Sequence, residues 1–222
     1  MNSRIIVKDL GLCDYDEAWR MQHLLFDRMV LDKKNHIPVE EEYLLIVEHP
    51  PVVTLGKHAR ENNLLLTDEE LARRGVTVRH IERGGDVTFH GPGQIVMYPI
   101  IDLERHGIGV KRYVEILEES VIRTIENYGV RGERVEGASG VWIGKDTPRE
   151  RKICALGVKC SRFCTMHGLA LNVNTDLSWF GMINPCGFID KGVTSMKVET
   201  GRDIDIAKVK EELAGNFLTL IG

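Results

Sequence analysis

Apolar positions recur along this chain in two rhythms, one helical and one extended. Ala18, Met21, Leu25 and Met29 follow helical spacing, and Trp19, Leu24 and Phe26 widen the stripe. Asp14 stands ahead of them as an N-cap, with Glu17 three residues on as its reciprocal partner, so a helix is predicted to about residue 33 with its stripe in the core. Val110, Tyr113, Val114, Leu117, Val121 and Ile125 mark a second long helix, stopped by Gly129. Asp205 caps a last one, with Ile206, Val209, Leu213 and Phe217 inward, and Thr67 with Glu70 boxes the start of a short helix that ends at Gly75. Between the helices lie short extended runs at 4–8, 43–47, 52–55, 76–81, 94–103, 130–135, 140–143, 153–159 and 169–173. Few, well-separated helices among recurring strands predict an α+β fold, a mixed and largely antiparallel sheet with flanking helices, in a single domain over 1–222.

Composition narrows the class of function. Of 222 residues, 43% are hydrophobic and 28% charged, the balance of an ordinary globular protein. A net charge of -4 does not suit a chain that binds nucleic acid as a whole. No apolar run reaches the roughly 20 residues needed to span a bilayer. The opening MNSRIIVKDL is too short and too charged for a secretory signal, so the cytoplasm is expected. Five cysteines, an odd number, argue against a disulfide framework.

The stretch RGGDVTFHGPGQ, residues 83–94, concentrates glycine and proline around one histidine, His90. Arg83 leads in with a fixed positive fork, and a buried strand follows. The segment reads either as one wall of a pocket or as a hairpin whose glycines serve geometry alone. Its glycines open onto a strand and the GxxxxGK[ST] pattern is absent, which excludes a dinucleotide fingerprint and a P-loop. His49, held in a stiff loop beside Pro50 and Pro51, reads as a surface histidine, with reach into the pocket as the alternative.

Three motifs in the last third carry further chemistry. Cys186 in INPCGF sits between proline and glycine, a rigid turn that suits an outward nucleophile and leaves N–H groups free for an oxyanion. Lys152 opens KICALG, either as a strand-end surface lysine or as a cation that lowers a nearby thiol's pKa. His167 opens HGLALNVN and, with His90, is a candidate proton carrier. Cys154, Cys160, Cys164 and His167 offer a rival zinc set, but no CxxC pair is present, and no metal is expected.

Taken together and in order, RGGDVTFHGPGQ, KICALG, HGLALNVN and INPCG resemble the four signatures of the octanoyltransferase family, the lipoyl(octanoyl)transferases of protein lipoylation. The resemblance implies the fold of the biotin and lipoate protein ligase catalytic domains. It implies transfer of an octanoyl group from octanoyl-acyl carrier protein to a lysine of lipoyl domains, in 2-oxo acid dehydrogenase complexes and the glycine cleavage H protein, without a cofactor. By the same resemblance Cys186 matches the acyl-thioester nucleophile and Lys152 the lysine that lowers its pKa. Arg83, Gly84, Gly85, Asp86, Val87, Thr88, Phe89 and His90 match one segment that lines the acyl chain; Ala155, Leu156 and Gly157, and Gly168, Leu169 and Ala170, match the others. Phe89 stands where the family usually has tyrosine. The ATP-dependent lipoate and biotin ligases differ in their glycine loops, and a thioester donor needs no adenylation. Lys145, Arg149, Arg151, Lys152 and Lys159, extended by Arg79 and Arg83, are candidates for a basic patch that steers acidic partners.

Overall fold

The computed structural model describes residues 4–59, 63–184 and 192–222. The strands are β1 (Arg4–Leu12), β2 (Glu41–Glu48), β3 (Val52–Leu55), β4 (Thr77–His80), β5 (Val87–His90), β6 (Gln94–Ile100), β7 (Glu133–Val135), β8 (Ala138–Ile143), β9 (Arg151–Ser161), β10 (Cys164–Asn172) and β11 (Gly192–Val193). The helices are α1 (Tyr15–Lys34), α2 (Asp68–Arg73), α3 (Val110–Glu126), α4 (Met196–Thr200) and α5 (Ile206–Ile221), with a 3₁₀ helix at Leu177–Met182. An eight-stranded sheet runs β1-β2-β6-β10-β9-β8-β7, with β11 added parallel to β9, and a three-stranded sheet runs β4-β3-β5. β1–β2 and β3–β4 are parallel; β2–β6, β6–β10, β10–β9, β9–β8, β8–β7 and β3–β5 are antiparallel. The mixed, largely antiparallel α+β expectation is met.

Strand alternation assigns the two faces of the large sheet. Leu44, Ile46, Ile95, Met97, Leu169 and Leu171 pack with α3 and α5 in the main core. Their neighbours Leu45, Val47, Val96, Tyr98 and Ala170 pack against Ala18, Phe26 and Met29 of α1. A smaller core, with Val53, Val87, Phe89 and Leu71, lies under the small sheet. The caps follow local chemistry. Thr67 and Glu70 close a full capping box, and Asp205 accepts from the amides of Ala207 and Lys208. Asp14 caps α1 through the amide of Asp16, and the reciprocal arm expected of Glu17 is replaced by this single bond.

Two expectations shift once pairing is known. β5 pairs with β3 and β6 with β2 and β10, so the stretch 83–94 crosses from one sheet to the other and is not a hairpin. β10 starts at Cys164, five residues before the predicted strand at 169, because it forms a hairpin with β9 through Arg162 and Phe163 at φ 50° and 65°. Local sequence carries no Asn-Gly signal for that turn; cross-strand pairing imposes it.

The C-terminus of α5 is tied to the sheet through His106. Its Nε2 meets both carboxylate oxygens of the fully buried Glu42, at 3.1 and 3.2 Å, and its Nδ1 donates to the Ile221 carbonyl at 3.0 Å. The bond to Glu42 is the main cause that raises the His106 pKa above its usual 6.5, against partial desolvation. A raised folded-state pKa gives stability that is complete below the unfolded value and is lost as pH rises through the folded one. The unfolding free energy of the wild type, from urea titration, should exceed that of His106→Asn by about 1–2 kcal/mol at acid pH, and the gap should narrow above neutrality. An unchanged gap from pH 5.5 to 9 rejects the linkage.

Candidate active site

Between the two sheets lies a cavity of about 110 Å³. Its floor is the sheet face shared by β6, β9 and β10, and its depth comes from small side chains in register. Gly157 faces Gly168 and Ala155 faces Ala170 across the β9–β10 pair, so the face carries a groove where other residues would fill it. Neither glycine can be enlarged in place. A Cβ at Gly168 would lie 2.1 Å from the Met97 carbonyl oxygen, and one at Gly157 would lie 2.7 Å from that of Gly84. The second contact explains how the 83–85 loop docks: Gly84 N–H donates to the Val158 carbonyl at 2.9 Å and lays the loop along β9.

The three acyl-chain segments inferred from sequence therefore converge. Arg83, Gly85, Asp86, Val87, Thr88 and His90 line the cavity from the small-sheet side. Ala155, Leu156, Gly157, Gly168, Leu169 and Ala170 line it from the large sheet. Gly84 serves as the backbone stitch just described. Phe89 turns away, fully buried in the small core and stacked on Trp179 with centroids 5.6 Å apart, so the hydroxyl it lacks would not face the cavity. Arg83 is buried and binds Thr54, its Nη2 donating to the carbonyl at 2.8 Å and to Oγ1 at 3.0 Å.

Lys152 reaches the cavity because of a bulge. Val141 of β8 pairs with Cys154, but the next residue, Trp142, pairs with Lys152, which leaves Ile153 as an extra residue. Ile153 and Cys154 both belong to the main core, and Lys152 is turned to the face of Ala155. In unbroken alternation it would share the face of Cys154. Lys152 Nζ stands 4.5 Å from the centre of the Trp142 ring, a cation–π contact, and the Trp142 Nε1–H is held by the Ala138 carbonyl at 3.1 Å. Lys152 therefore stands on the wall of the cavity.

The candidate histidines are buried and held neutral. Gln94 donates from Nε2 to the Phe89 carbonyl and to Asn172 Oδ1, so its Oε1 accepts from His90 Nδ1–H at 2.8 Å. His90 Nε2 is left to accept from the Thr54 hydroxyl at 3.4 Å. Burial, with the nearby His49 second, pushes the His90 pKa down to about 3. His167 sits at φ 59° in mid-strand, its N–H donating to Gln22 Oε1 at 3.0 Å, and burial lowers its pKa to about 3. His49 corrects its sequence reading: it is fully buried, accepts from the Tyr98 hydroxyl at 2.9 Å, and donates to the Cys13 carbonyl at 2.8 Å. Alternation carried the signal, since Leu45, Val47 and His49 share one strand face, and the two prolines drew the reading outward. Tyr15, Tyr98, Trp142, Gln94 and Asn172 also line the cavity and were not among the sequence candidates.

Several members of the candidate basic patch are ion-paired or interior. Arg79 pairs with Asp16, Arg151 with Glu199, Lys159 with Glu82, and Arg83 is interior. These pairs give Arg79, Arg151 and Lys159 different acidic partners, while Arg149 and Arg151 stay adjacent, Arg151 Nη1 donating to the Arg149 carbonyl at 2.8 Å. The cysteines of the rival metal set are likewise spread: Cys154 in the main core, Cys164 in the α1 core and Cys160 exposed. Cys186 lies outside the described residues. The described chain stops at Asn184, whose N–H donates to the Asn63 carbonyl at 2.8 Å, and resumes at Gly192 and Val193, which line the cavity and pair with Arg151 and Lys152. Among the described residues no helix is long and apolar enough to cross a membrane.

Such a sheet with its flanking helices has the fold of the lipoate and biotin protein ligase catalytic domains. The crystal structure of lipoate-protein ligase A bound with ATP matches with a TM-score of 0.69 at 14% identity, over 100% of this chain and 86% of that one. The bipartite lipoate protein ligase of Thermoplasma acidophilum, from a study that includes its E2 lipoyl domain, matches at 0.64 and 16%, over 100% and 84%. Biotin protein ligase from Aquifex aeolicus in complex with biotin and ATP matches at 0.53 and 12%, over 97% and 70%. At these identities the likeness is one of fold. The lipoyl protein ligase A/B catalytic domain matches residues 14–218. An octanoyltransferase of Bacteroides fragilis is 53% identical over 218 residues, 98% of each chain, and one of Parabacteroides distasonis is 50% identical over 213 residues, 96% of each. This chain belongs to the octanoyltransferase family, and it is an acyltransferase.

Proposed function

We propose that the protein, acting as one catalytic domain over its length, moves an octanoyl group from octanoyl-acyl carrier protein to a lysine of a lipoyl domain in the cytoplasm. The acceptors are those of 2-oxo acid dehydrogenase complexes and the glycine cleavage H protein. The observation that carries the reading is the groove between the Gly157–Gly168 and Ala155–Ala170 pairs, which runs beside Lys152. An eight-carbon chain suits it: each buried CH₂ contributes about 0.8 kcal/mol, and side chains larger than alanine would fill the space.

The reaction proceeds in two displacements on Cys186. Its thiolate attacks the donor thioester carbonyl; a new C–S bond forms, the old one breaks, and the carrier's phosphopantetheine thiol leaves with a proton. The neutral amine of the acceptor lysine then attacks the acyl-enzyme. A C–N bond forms, the C–S bond breaks and the thiol is restored. Lys152 is the group on the cavity wall suited to carrying the protons, because His90 is engaged at both ring nitrogens and both His90 and His167 are held neutral. The thioester is already activated, so the chemistry requires no adenylation.

The test is transfer with octanoyl-acyl carrier protein and a lipoyl domain in the presence of a chelator and without ATP. The acceptor should gain one octanoyl group in its intact mass. Modification only with free octanoate, ATP and magnesium establishes a ligase instead, and binding of the lipoyl domain without any transfer establishes a noncatalytic partner.

A further inference from the structure

Glu118 is a carboxylate 6% exposed on the inward side of α3. Its Oε2 meets Arg134 Nε at 3.1 Å, and its Oε1 accepts the backbone N–H of Gly140 at 3.0 Å. Gly140 stands at φ 118°, and a Cβ there would fall 2.4 Å from the Cys154 carbonyl oxygen and 3.6 Å from Lys152 Cδ. The stem of Lys152 thus passes directly over the glycine that Glu118 holds. The β8–β9 register slips at the next step, between Val141 and Trp142, and that slip is what turns Lys152 and Trp142 to the cavity.

A neutral acceptor could satisfy one amide without the cost of desolvating a charge. The bond from a carboxylate is charge-assisted, short and directional, and it holds its donor more tightly. Glu118 and Lys152 both lie within electrostatic reach of the Cys154 thiol, which belongs to the β8–β9 pair.

We infer that Glu118 is a positioning residue for the reaction: by clamping the kink at Gly140 it fixes the bulge that presents Lys152 to the cavity. The inference rests on the proposed role of Lys152, and the experiment separates the two.

Compare the wild type with Glu118→Ala, Glu118→Gln, Glu118→Asp and Arg134→Met in full-length protein. Two readouts are taken: pH-dependent competitive acetylation of Lys152, mapped by mass spectrometry against Lys34 as reference, and steady-state octanoyl transfer. Glu118→Ala should shift Lys152 acetylation and lower kcat by about tenfold or more, as small misplacements of a reacting group do, with the donor KM nearly unchanged. Glu118→Gln keeps an acceptor for Gly140 but loses the charge assistance, and should shift both readouts in the direction of Glu118→Ala by a smaller amount. Arg134→Met removes the ion pair but not the Gly140 bond; it should lower the melting temperature and leave Lys152 as it was. Glu118→Asp keeps the charge, withdraws the acceptor by one methylene, and should behave as Glu118→Ala; it carries the test if Glu118→Ala does not fold.

Unchanged Lys152 acetylation in Glu118→Ala or Glu118→Asp overturns the inference. So does an equal shift in Arg134→Met, because the carboxylate would then serve hairpin stability alone. A shift in acetylation with transfer intact shows that Glu118 places Lys152 but overturns the part of Glu118 in the reaction, and with it the role given to Lys152.

Discussion

Replacing Cys186 with alanine is expected to abolish octanoyl transfer, with a loss of about 10⁴-fold or more, the scale seen when a covalent nucleophile is deleted. A thiol is the only group in INPCG able to form an acyl intermediate, and the relatives at 50–53% identity are octanoyltransferases. Incubation of the wild type with octanoyl-acyl carrier protein should add one octanoyl group to the protein, and peptide mapping should place it on Cys186. Cys186→Ser is the informative partner. A serine oxygen at ordinary pKa is a far weaker nucleophile, so transfer should stay low while the groove, formed by β9 and β10, still takes the chain. An adduct on Cys160, the exposed thiol, or full turnover by Cys186→Ala, would overturn the covalent reading.

Lys152→Ala is expected to cost about 10²–10⁴-fold in turnover, the range of a positioned acid–base group. Two effects combine. Loss of a cation on the cavity wall should move alkylation of the Cys186 thiol to higher pH, because a nearby positive charge favours thiolate over thiol. Loss of the amine also removes the proton carrier for the second displacement. Lys152→Arg separates the two: it keeps the charge, and the guanidinium can stack on Trp142, but it does not give up a proton at neutral pH. Its alkylation profile should lie near the wild type while transfer to the acceptor lysine remains slow. The measurement is alkylation rate against pH beside single-turnover transfer. If Lys152→Ala leaves both where they were, the cavity lysine has no part in the chemistry.

Much of this enzyme could be read from local pattern. The stripe of α1, the capping box of α2 and the cap of α5 depend on residues a few positions apart, and all three helices formed where those residues stand. The four signatures likewise name their family as linear text, since a motif keeps its order whatever its surroundings. Register is another matter. Lys152 and Cys154 differ by two positions and by alternation belong on one face; the extra residue at Ile153 separates them, and nothing in KICALG marks it. The cause lies across the sheet, in the angle of Gly140 and the carboxylate of Glu118, both far away in sequence.

The same division governs the histidines and the charges. Sequence alone marked His90 and His167 as residues able to titrate near neutrality, because that is the property of a solvated imidazole. Burial removed that property from both, and only packing against distant elements sets burial. Arg79, Arg151 and Lys159 looked like one patch, and acidic partners on α1, on α4 and beside Arg83 engage them one by one. Composition, helix periodicity and motif order are sums over near neighbours, so the chain itself determined the helices, the α+β class and the family. The depth of the groove, the face on which Lys152 stands and the protonation of the buried histidines are set by contacts between residues far apart in the chain, and those exist only after the sheets have paired.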